Sequence, residues 1–363
     1  MRDILPELNG KDYIDDLHKD YDIGFCKLGE VDELIDFLKT YWKEDHIFVL
    51  SREVFDFQHL DKKNQRYNFV LARERKSGDL HSVLGFVPTS QYDSNISSMM
   101  VWPCIWKSRD DIKRKGLGVS LYHYLKETLP IETISILGIS EIALSIYKHW
   151  NFETGKIEQF FMPNYEICYN LSSGMEQIKK SESNKEDVAE LKLYSEEMYD
   201  AIELSAPVFK HINKYKSKEY YKNRFFKHPV YEYKFYGIEQ NKEVLAIAIA
   251  RVCGNDEATC LRIVDYIGSL EALSFVKRQM QQLLQEENRE YVDFVEVGLS
   301  EKVLSDAGFI SRKYYPDIIL PNYFEPFCKA NIDLDYAYKT VVDDSVQVFY
   351  KADADQDRPN MLR

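Results

Sequence analysis

Three cations and two glycines stand together immediately before a helix-like run in residues 113–120, which read KRKGLGVS. The glycines allow the backbone to approach a ligand closely and to expose successive N–H groups. The helix that follows adds the partial positive charge of its N-terminus. The loop therefore predicts a pyrophosphate site, although a surface turn before a helix has the same local sequence. The residues predicted to bind the phosphates are Lys113, Arg114, Lys115, Gly116, Leu117, Gly118 and Val119.

The elements around this loop alternate between helix and strand. Apolar residues recur at helical spacing in VDELIDFLKTYWKE, whereas YNFVLARE and HSVLGFVPTS have the pattern of strands. A further strand, SSMMVWPCIWKS, precedes the loop, and its Pro103 predicts an edge, a bulge or a splayed end. The strand TISILGIS and the helix EIALSIYKHW follow. Because the second half of the chain repeats this alternation, the sequence predicts an α/β fold class with mixed α+β sheets.

An internal repeat supports two similar domains. Residues 138–145 read GISEIALS and residues 298–305 read GLSEKVLS, and each copy follows an apolar strand. The polar stretch 172–190 is predicted to link a first domain, residues 1–171, to a second domain, residues 191–363. The second copy has no glycine loop and no cation cluster, so we expect its domain to be a degenerate duplicate that helps to bind the acceptor.

The order of these motifs resembles the GNAT superfamily of acyl-CoA N-acyltransferases. The family pattern is a strand, a [RQ]-x-x-G-x-[GA] loop, a helix, a strand and a helix that ends in Y-x-x-x-G-F. Two positions depart from it: Lys113 replaces the usual Arg or Gln, and Asn151 replaces the usual Gly. Asn is tolerated there because it enters the left-handed region readily. The resemblance implies tandem GNAT-like domains, a CoA-dependent N-acyltransferase activity, acyl-CoA as co-substrate and no prosthetic group or metal.

Acyl transfer from a thioester to an amine requires oxyanion stabilisation and a proton for the departing thiolate. If Pro103 splays its strand, the backbone N–H groups of Cys104 and Ile105 are the expected oxyanion donors, with Trp106 beside them. Tyr147 stands where the superfamily often places the general acid. The alternatives are that Pro103 only marks an edge strand and that Tyr147 only packs within its helix.

Three residues are candidates for the base or for contacts with the acceptor, which would be a sugar if the chain resembles N-acyltransferases of nucleotide-linked amino sugars. Asp93, in SQYDSN, could accept the proton of the amine, or it could form an Asx turn. His46 titrates near neutral pH and could act as the base or bind sugar, or it could cap a helix. His59 follows the aromatic run FDFQ and could contact sugar or phosphate. A sugar amine that enters neutral would need no strong base.

Further stretches resemble a narrower group of enzymes. YWKEDHIF, FDFQHL, LGFVPTSQYD and the tail FYKADADQDRPN are similar to two-domain, FemABX-like N-acyltransferases of nucleotide-linked amino sugars, the anthrose-biosynthesis type among them. This resemblance implies a dTDP-amino-deoxy sugar as the acceptor. The basic run at 210–228 could then grip the diphosphate through Lys216, Arg224 and His228, or it could be a solvated helix face. The acidic tail is predicted to be solvated or part of an interface.

Composition excludes several other classes of function. A formal net charge of -13 argues against a nucleic-acid partner. No apolar run approaches the roughly 20 residues of a membrane span. The six cysteines form no C-x-x-C pair, which favours reduced thiols in a cytoplasmic protein. A peptide or amino-acid acceptor and a non-catalytic acyl-CoA-binding protein remain alternatives, and the oligomeric state stays open.

Overall fold

The protein is described by a computed structural model in which the chain forms two compact units. Unit 1 contains the chain up to Gly155 and the segment that begins at Asp335. Unit 2 contains Lys156–Leu334 and the segment that ends at Pro359. Residues 181–185, in the predicted linker, lie outside the described residues. The residues that the structure describes are 17–180, 186–325, 327–342 and 347–360.

The described residues form strands and helices in alternation. The strands are β1 (Tyr21–Lys27), β2 (Leu60–Asp61), β3 (Arg66–Glu74), β4 (Leu80–Pro88), β5 (Met99–Ser108), β6 (Ile131–Leu137), β7 (Glu153–Lys156), β8 (Glu158–Pro163), β9 (Glu190–Tyr194), β10 (Lys234–Gln240), β11 (Glu243–Gly254), β12 (Thr259–Gly268), β13 (Tyr291–Val297), β14 (Ile310–Ser311), β15 (Asp335–Thr340) and β16 (Phe349–Tyr350). The helices are α1 (Val31–Tyr41), α2 (Ile47–Leu50), α3 (Arg52–His59), α4 (Leu117–Thr128), α5 (Glu141–His149), α6 (Glu196–Asp200), α7 (Lys218–Tyr221), α8 (Lys277–Glu286) and α9 (Glu301–Asp306).

Each unit is built on one mixed sheet. In unit 1 the strand order is β1-β3-β4-β5-β6-β15-β7, with β2 paired to β3. In unit 2 the order is β14-β8-β13-β12-β11-β10-β9, with β16 paired to β13. The β5–β6 pair and the β12–β13 pair are parallel, and the other recorded pairings within these sheets are antiparallel. Two units with mixed sheets confirm the predicted fold class.

The observed units differ from the predicted division at residues 171 and 191. Strand β8 pairs with β13 from Glu158 to Pro163, so the sheet of unit 2 begins earlier in the chain than predicted. Strand β15 pairs antiparallel with β6, and the Oγ1 atoms of Thr133 and Thr340 lie 2.9 Å apart. Residues of the predicted second domain thus complete the sheet of unit 1.

The core of unit 1 follows from helical spacing in α4. Leu117, Leu121 and Leu125 are four residues apart, so they lie on one face of the helix. All three are buried in a cluster with strand residues such as Leu84 and Val101. This packing places the start of α4 beside β5. Within the described residues, every helix is too short or too polar to cross a bilayer.

Candidate functional site

Strand β5 is bulged and diverges from its parallel neighbour. It pairs with β6 only through Met99, Met100 and Val101, although β5 continues to Ser108. Its register against β4 also shifts, because Leu84 faces Trp106 whereas Phe86 faces Pro103. Two residues of β5 therefore oppose one of β4, which defines a β-bulge. Pro103 lies beside a bulge in an internal strand and does not mark an edge.

The bulge contains the predicted oxyanion donors. Cys104 and Ile105 are the two residues opposite Gly85. A Cβ atom on Gly85 would lie 2.7 Å from the ring of Phe69 and 3.2 Å from the Cys104 sulfur, so only glycine fits there. Because a bulge leaves an N–H outside the ladder, these two residues could donate hydrogen bonds into the gap between β5 and β6.

Helix α4 begins with unused backbone donors. Its N-cap residue, Gly116, has φ of 73°, which favours glycine, and no side chain caps the helix. Ser120 is the first residue whose N–H bonds back to the Gly116 carbonyl, at 2.9 Å. The N–H groups of Leu117, Gly118 and Val119 precede that bond. They form the kind of helix N-terminus that binds anions.

The cations of the loop differ in their surroundings. Lys113 and Lys115 are exposed, so both ammonium groups could approach an anion at the start of α4. Arg114 instead lies 3.3 Å from the carboxylate of Asp20. This ion pair turns the guanidinium toward the first residues before β1.

Glycine at position 118 is required by a contact within the protein, which the sequence analysis did not predict. A Cβ atom on Gly118 would lie 2.9 Å from Nε1 of Trp106 and 3.4 Å from Oγ of Ser108. The indole Nε1 donates to the Gly118 carbonyl oxygen at 3.0 Å. Close contact with a side chain of β5 therefore requires this glycine, in addition to any approach of phosphate.

Tyr147 is buried beside the bulge. Its ring contacts Trp106, Tyr122, Trp150 and Phe152, with centroids 4.9–6.4 Å apart. The side chain is 1% exposed, and burial raises its pKa well above the ordinary value, with smaller contributions from Tyr122 and Cys104. The phenol therefore stays protonated over the physiological range and could donate a proton.

Asn151, which follows α5, adopts the left-handed conformation that the sequence predicts. Its φ is 55°. The N–H of Asn151 bonds to the Lys148 carbonyl, and the N–H of Phe152 bonds to the Tyr147 carbonyl. Asn151 thus adopts the left-handed conformation that glycine usually adopts at the end of a helix.

Asp93 and His46 each form the local hydrogen bond that was the alternative to a catalytic role. Oδ1 of Asp93 accepts the Asn95 N–H at 2.9 Å, which is the Asx turn considered above, and its side chain is largely buried. His46 caps α2, where its Nδ1 accepts the Phe48 N–H at 3.3 Å. These contacts orient both side chains.

His59 is fully enclosed. Its Nδ1 lies 3.2 Å from the Phe86 carbonyl oxygen. The rings of Phe48, Phe55 and Phe69 surround it. The prediction that His59 contacts sugar or phosphate is corrected, because a fully buried ring in an aromatic core cannot reach a ligand in solvent.

In the basic run of unit 2, Lys216 and Arg224 are buried, whereas Lys210, Lys214 and Lys227 are exposed. The Lys216 ammonium lies 2.7 Å from carboxylate oxygens of both Asp265 and Asp353. Burial alone would lower the pKa of Lys216, but the two carboxylates raise it above its ordinary value. An ammonium enclosed by two carboxylates has no capacity left for a nucleotide diphosphate.

Arg224 and His228 do not form the predicted diphosphate grip either. Arg224 is buried. Nδ1 of His228 accepts the N–H groups of Val230 and Tyr231 at 3.1 and 2.8 Å. Burial, with Arg224 and Arg251 nearby, lowers the pKa of His228 to about 2, so the ring is neutral. A neutral ring gives no charge attraction for phosphate.

The gap between the parallel strands of unit 2 is filled by the tail of the chain. Strands β12 and β13 stop pairing after Ile263, and Val264 is an extra residue in β12, as in the bulge of unit 1. The Ala352 N–H bonds to the Val264 carbonyl at 2.9 Å, and the Lys351 N–H bonds to the Val295 carbonyl at 3.1 Å. Among the described residues of unit 1, no strand enters the corresponding gap.

The tail is held by buried charges, so the first of the two expectations for it, a solvated segment or part of an interface, is wrong. Asp353 contacts Lys216, and Asp357 accepts a hydrogen bond from Arg251 Nε at 2.8 Å. Both carboxylates are buried. Among the described residues, no cluster of three or more His, Cys, Asp and Glu side chains could hold a metal.

The fold is similar to that of solved acyltransferases. A GCN5-related N-acetyltransferase from Anabaena variabilis ATCC 29413 is 12% identical with a TM-score of 0.52, and the match covers 89% of this chain and 73% of that one. Saccharomyces cerevisiae N-myristoyltransferase with bound myristoyl-CoA is 12% identical with a TM-score of 0.45, covering 88% and 79%. No family model and no curated protein matches the sequence. The first likeness confirms a GNAT-like fold.

Proposed function

We propose that the protein is a CoA-dependent N-acyltransferase whose acyl-CoA site lies in unit 1. The carrying observation is that Trp106, which follows the bulge at Cys104 and Ile105, contacts both the uncapped start of α4, through Gly118, and the ring of Tyr147. The three features supply donors for an oxyanion, for a pyrophosphate and for a thiolate, in that order. The GNAT-like fold supports this reading of the site.

Each group has one role in the proposed reaction. The amine nitrogen attacks the thioester carbonyl carbon, and the N–H groups of Cys104 and Ile105 stabilise the oxyanion that forms. The C–S bond then breaks, and Tyr147 transfers its hydroxyl proton to the departing thiolate. The amine loses its proton to Asp93 or directly to solvent. The pyrophosphate of acyl-CoA binds at the start of α4, where Lys113 and Lys115 add charge.

The acceptor is proposed to be the amine of a nucleotide-linked amino-deoxy sugar. This part rests on the sequence resemblance of stretches such as YWKEDHIF and LGFVPTSQYD. Because Lys216 is enclosed by two carboxylates, Arg224 is buried and His228 is neutral, we infer that other residues contact the diphosphate. A peptide or amino-acid amine is the alternative acceptor, and a non-catalytic acyl-CoA-binding protein is the alternative outside enzymes.

The proposed function is tested by assaying free CoA thiol released from acetyl-CoA and longer acyl-CoAs. Each donor is combined with dTDP-amino sugars, free amino acids or short peptides. Thiol release that depends on a dTDP-amino sugar supports the full proposal, and release with another amine changes only the acceptor. Binding of acyl-CoA without transfer to any amine would favour the non-catalytic alternative. Absence of both binding and transfer would overturn the proposal.

A further inference from the structure

A basic pocket of about 490 Å³ lies in unit 1 beside the residues that lead into α4. Five of its lining residues are cationic, against two carboxylates, Asp20 and Glu74, so the lining carries a formal charge of +3 (5 − 2). This is a local excess of positive charge in a chain whose net charge is -13. The cationic residues are Lys19, Arg75, Lys76, Lys113 and Arg114.

Both arginines of this pocket are held in place. Arg75 Nη2 lies 2.6 Å from Asp22 Oδ1, and Arg75 Nε donates to the His18 carbonyl at 3.2 Å. Arg114 pairs with Asp20 at 3.3 Å. Lys76 and Lys113 are exposed and have no ion pair within the described residues. Because Asp22 and Asp20 balance the two arginines, Lys76 and Lys113 supply charge that can still bind an anion.

The pocket adjoins the proposed pyrophosphate site through the chain itself. Lys113 and Arg114 line the pocket, and Gly116, two residues later, caps the start of α4. In CoA, the ribose that carries the pyrophosphate also carries a 3′-phosphate. We propose that this pocket binds the 3′-phosphate of acyl-CoA, an inference that rests on the proposed function. A phosphomonoester carries close to two negative charges at neutral pH, which suits this lining.

The test compares acetyl-CoA with 3′-dephospho-acetyl-CoA as donors for the full-length protein. The variant is Lys76→Glu, which reverses a charge in the pocket. Lys76 does not belong to the loop that precedes α4. Lys39→Glu is the matched control, because Lys39 is exposed on α1 and has no ion pair within the described residues. We expect wild type and Lys39→Glu to prefer acetyl-CoA by KM. In Lys76→Glu the KM for acetyl-CoA should rise by about five- to tenfold.

The dephospho donor separates this inference from the proposed function. Its KM should change less than about twofold in Lys76→Glu, because the group that the pocket binds is absent. Equal KM values for both donors in wild type, or an unchanged preference in Lys76→Glu, would overturn the inference while acyl transfer stands. If neither donor binds, the proposed function itself fails. The preference should also weaken as salt is raised, because exposed charges are screened.

Discussion

The Trp106 indole donates a hydrogen bond to the carbonyl oxygen of Gly118 at 3.0 Å, and a Cβ on residue 118 would lie 2.9 Å from the same nitrogen. This contact joins the bulged strand β5 to the first turn of α4. The proposed thioester and pyrophosphate sites are therefore coupled through one side chain. A change at either residue should disturb both sites.

Substitution of Gly118 should weaken acyl-CoA binding. Gly118→Ala forces the indole aside, and overpacking of this kind costs about 1–3 kcal/mol. The KM for acyl-CoA should rise by about tenfold, and more in Gly118→Leu. Steady-state kinetics of both variants check this expectation. An unchanged KM in Gly118→Leu would mean that the loop does not hold acyl-CoA.

A double-mutant cycle separates the two reasons for glycine at position 118, which are the contact with Trp106 and the close approach of phosphate. If the indole contact dominates, Trp106→Phe and Gly118→Ala should be less than additive in their effects on KM, because both disturb the same contact. Strict additivity would instead show that residue 118 acts on the phosphate independently of Trp106.

Removal of the Tyr147 hydroxyl should slow the chemical step. Burial raises the pKa of Tyr147, so its hydroxyl is protonated at neutral pH. Tyr147→Phe should lower kcat by about 10²-fold with little change in the KM for acyl-CoA. Tyr122→Phe is the matched control, because its ring belongs to the same aromatic cluster. Equal losses in both variants would indicate packing instead of proton transfer.

The role of Asp93 can be tested without disturbing its turn. The Asn side chain can accept the same backbone N–H of Asn95, so Asp93→Asn should keep the fold. As the base, Asp93 would be needed for kcat and not for acyl-CoA affinity. We expect kcat to fall by about tenfold or more, measured with saturating donor. Full activity of Asp93→Asn would remove it as the base.

The tail of unit 2 should give stability a pH dependence. Burial, and then Arg262, lower the pKa of Lys351 to about 7. In the unfolded chain a lysine titrates near pH 10.4. Between these values the unfolded chain binds more protons, so this residue makes the free energy of unfolding rise with pH from about 7 to about 10. The slope should approach about 1.4 kcal/mol per pH unit.

Lys351→Met removes this titration. Urea unfolding at pH 7, 8 and 9 should show the variant more stable than wild type at pH 7, and the difference should shrink as pH rises. The Lys351 Nζ makes no hydrogen bond within the described residues, so the variant leaves no hydrogen-bond acceptor unpaired. A constant difference across this pH range would contradict the lowered pKa.

Local patterns predicted the parts of the site that depend on neighbouring residues. The loop before α4, the irregular strand at Pro103 and the left-handed Asn151 follow from glycine, proline and asparagine chemistry within a few residues. The repeat likewise predicted two similar units. These features could be inferred because the backbone conformation at each position depends on the residue there.

Long-range pairing could not be inferred in the same way. Strand β15 joins β6 across about 200 residues, and the tail enters the gap between β12 and β13. No local pattern specifies the partner of such a strand. The role of Lys216 was missed for a related reason. A charged run with interleaved aromatics has the composition of a solvated surface, but its tyrosines are buried together with Lys216 and Arg224.

The central claim is that one acyl-CoA binds in unit 1, because the corresponding gap of unit 2 is filled by residues of the tail. Titration calorimetry of the full-length protein with acetyl-CoA tests this claim most directly. We expect saturable binding with one acetyl-CoA per chain. Gly118→Leu should weaken this binding. Two molecules per chain, no binding, or unweakened binding to Gly118→Leu would contradict it.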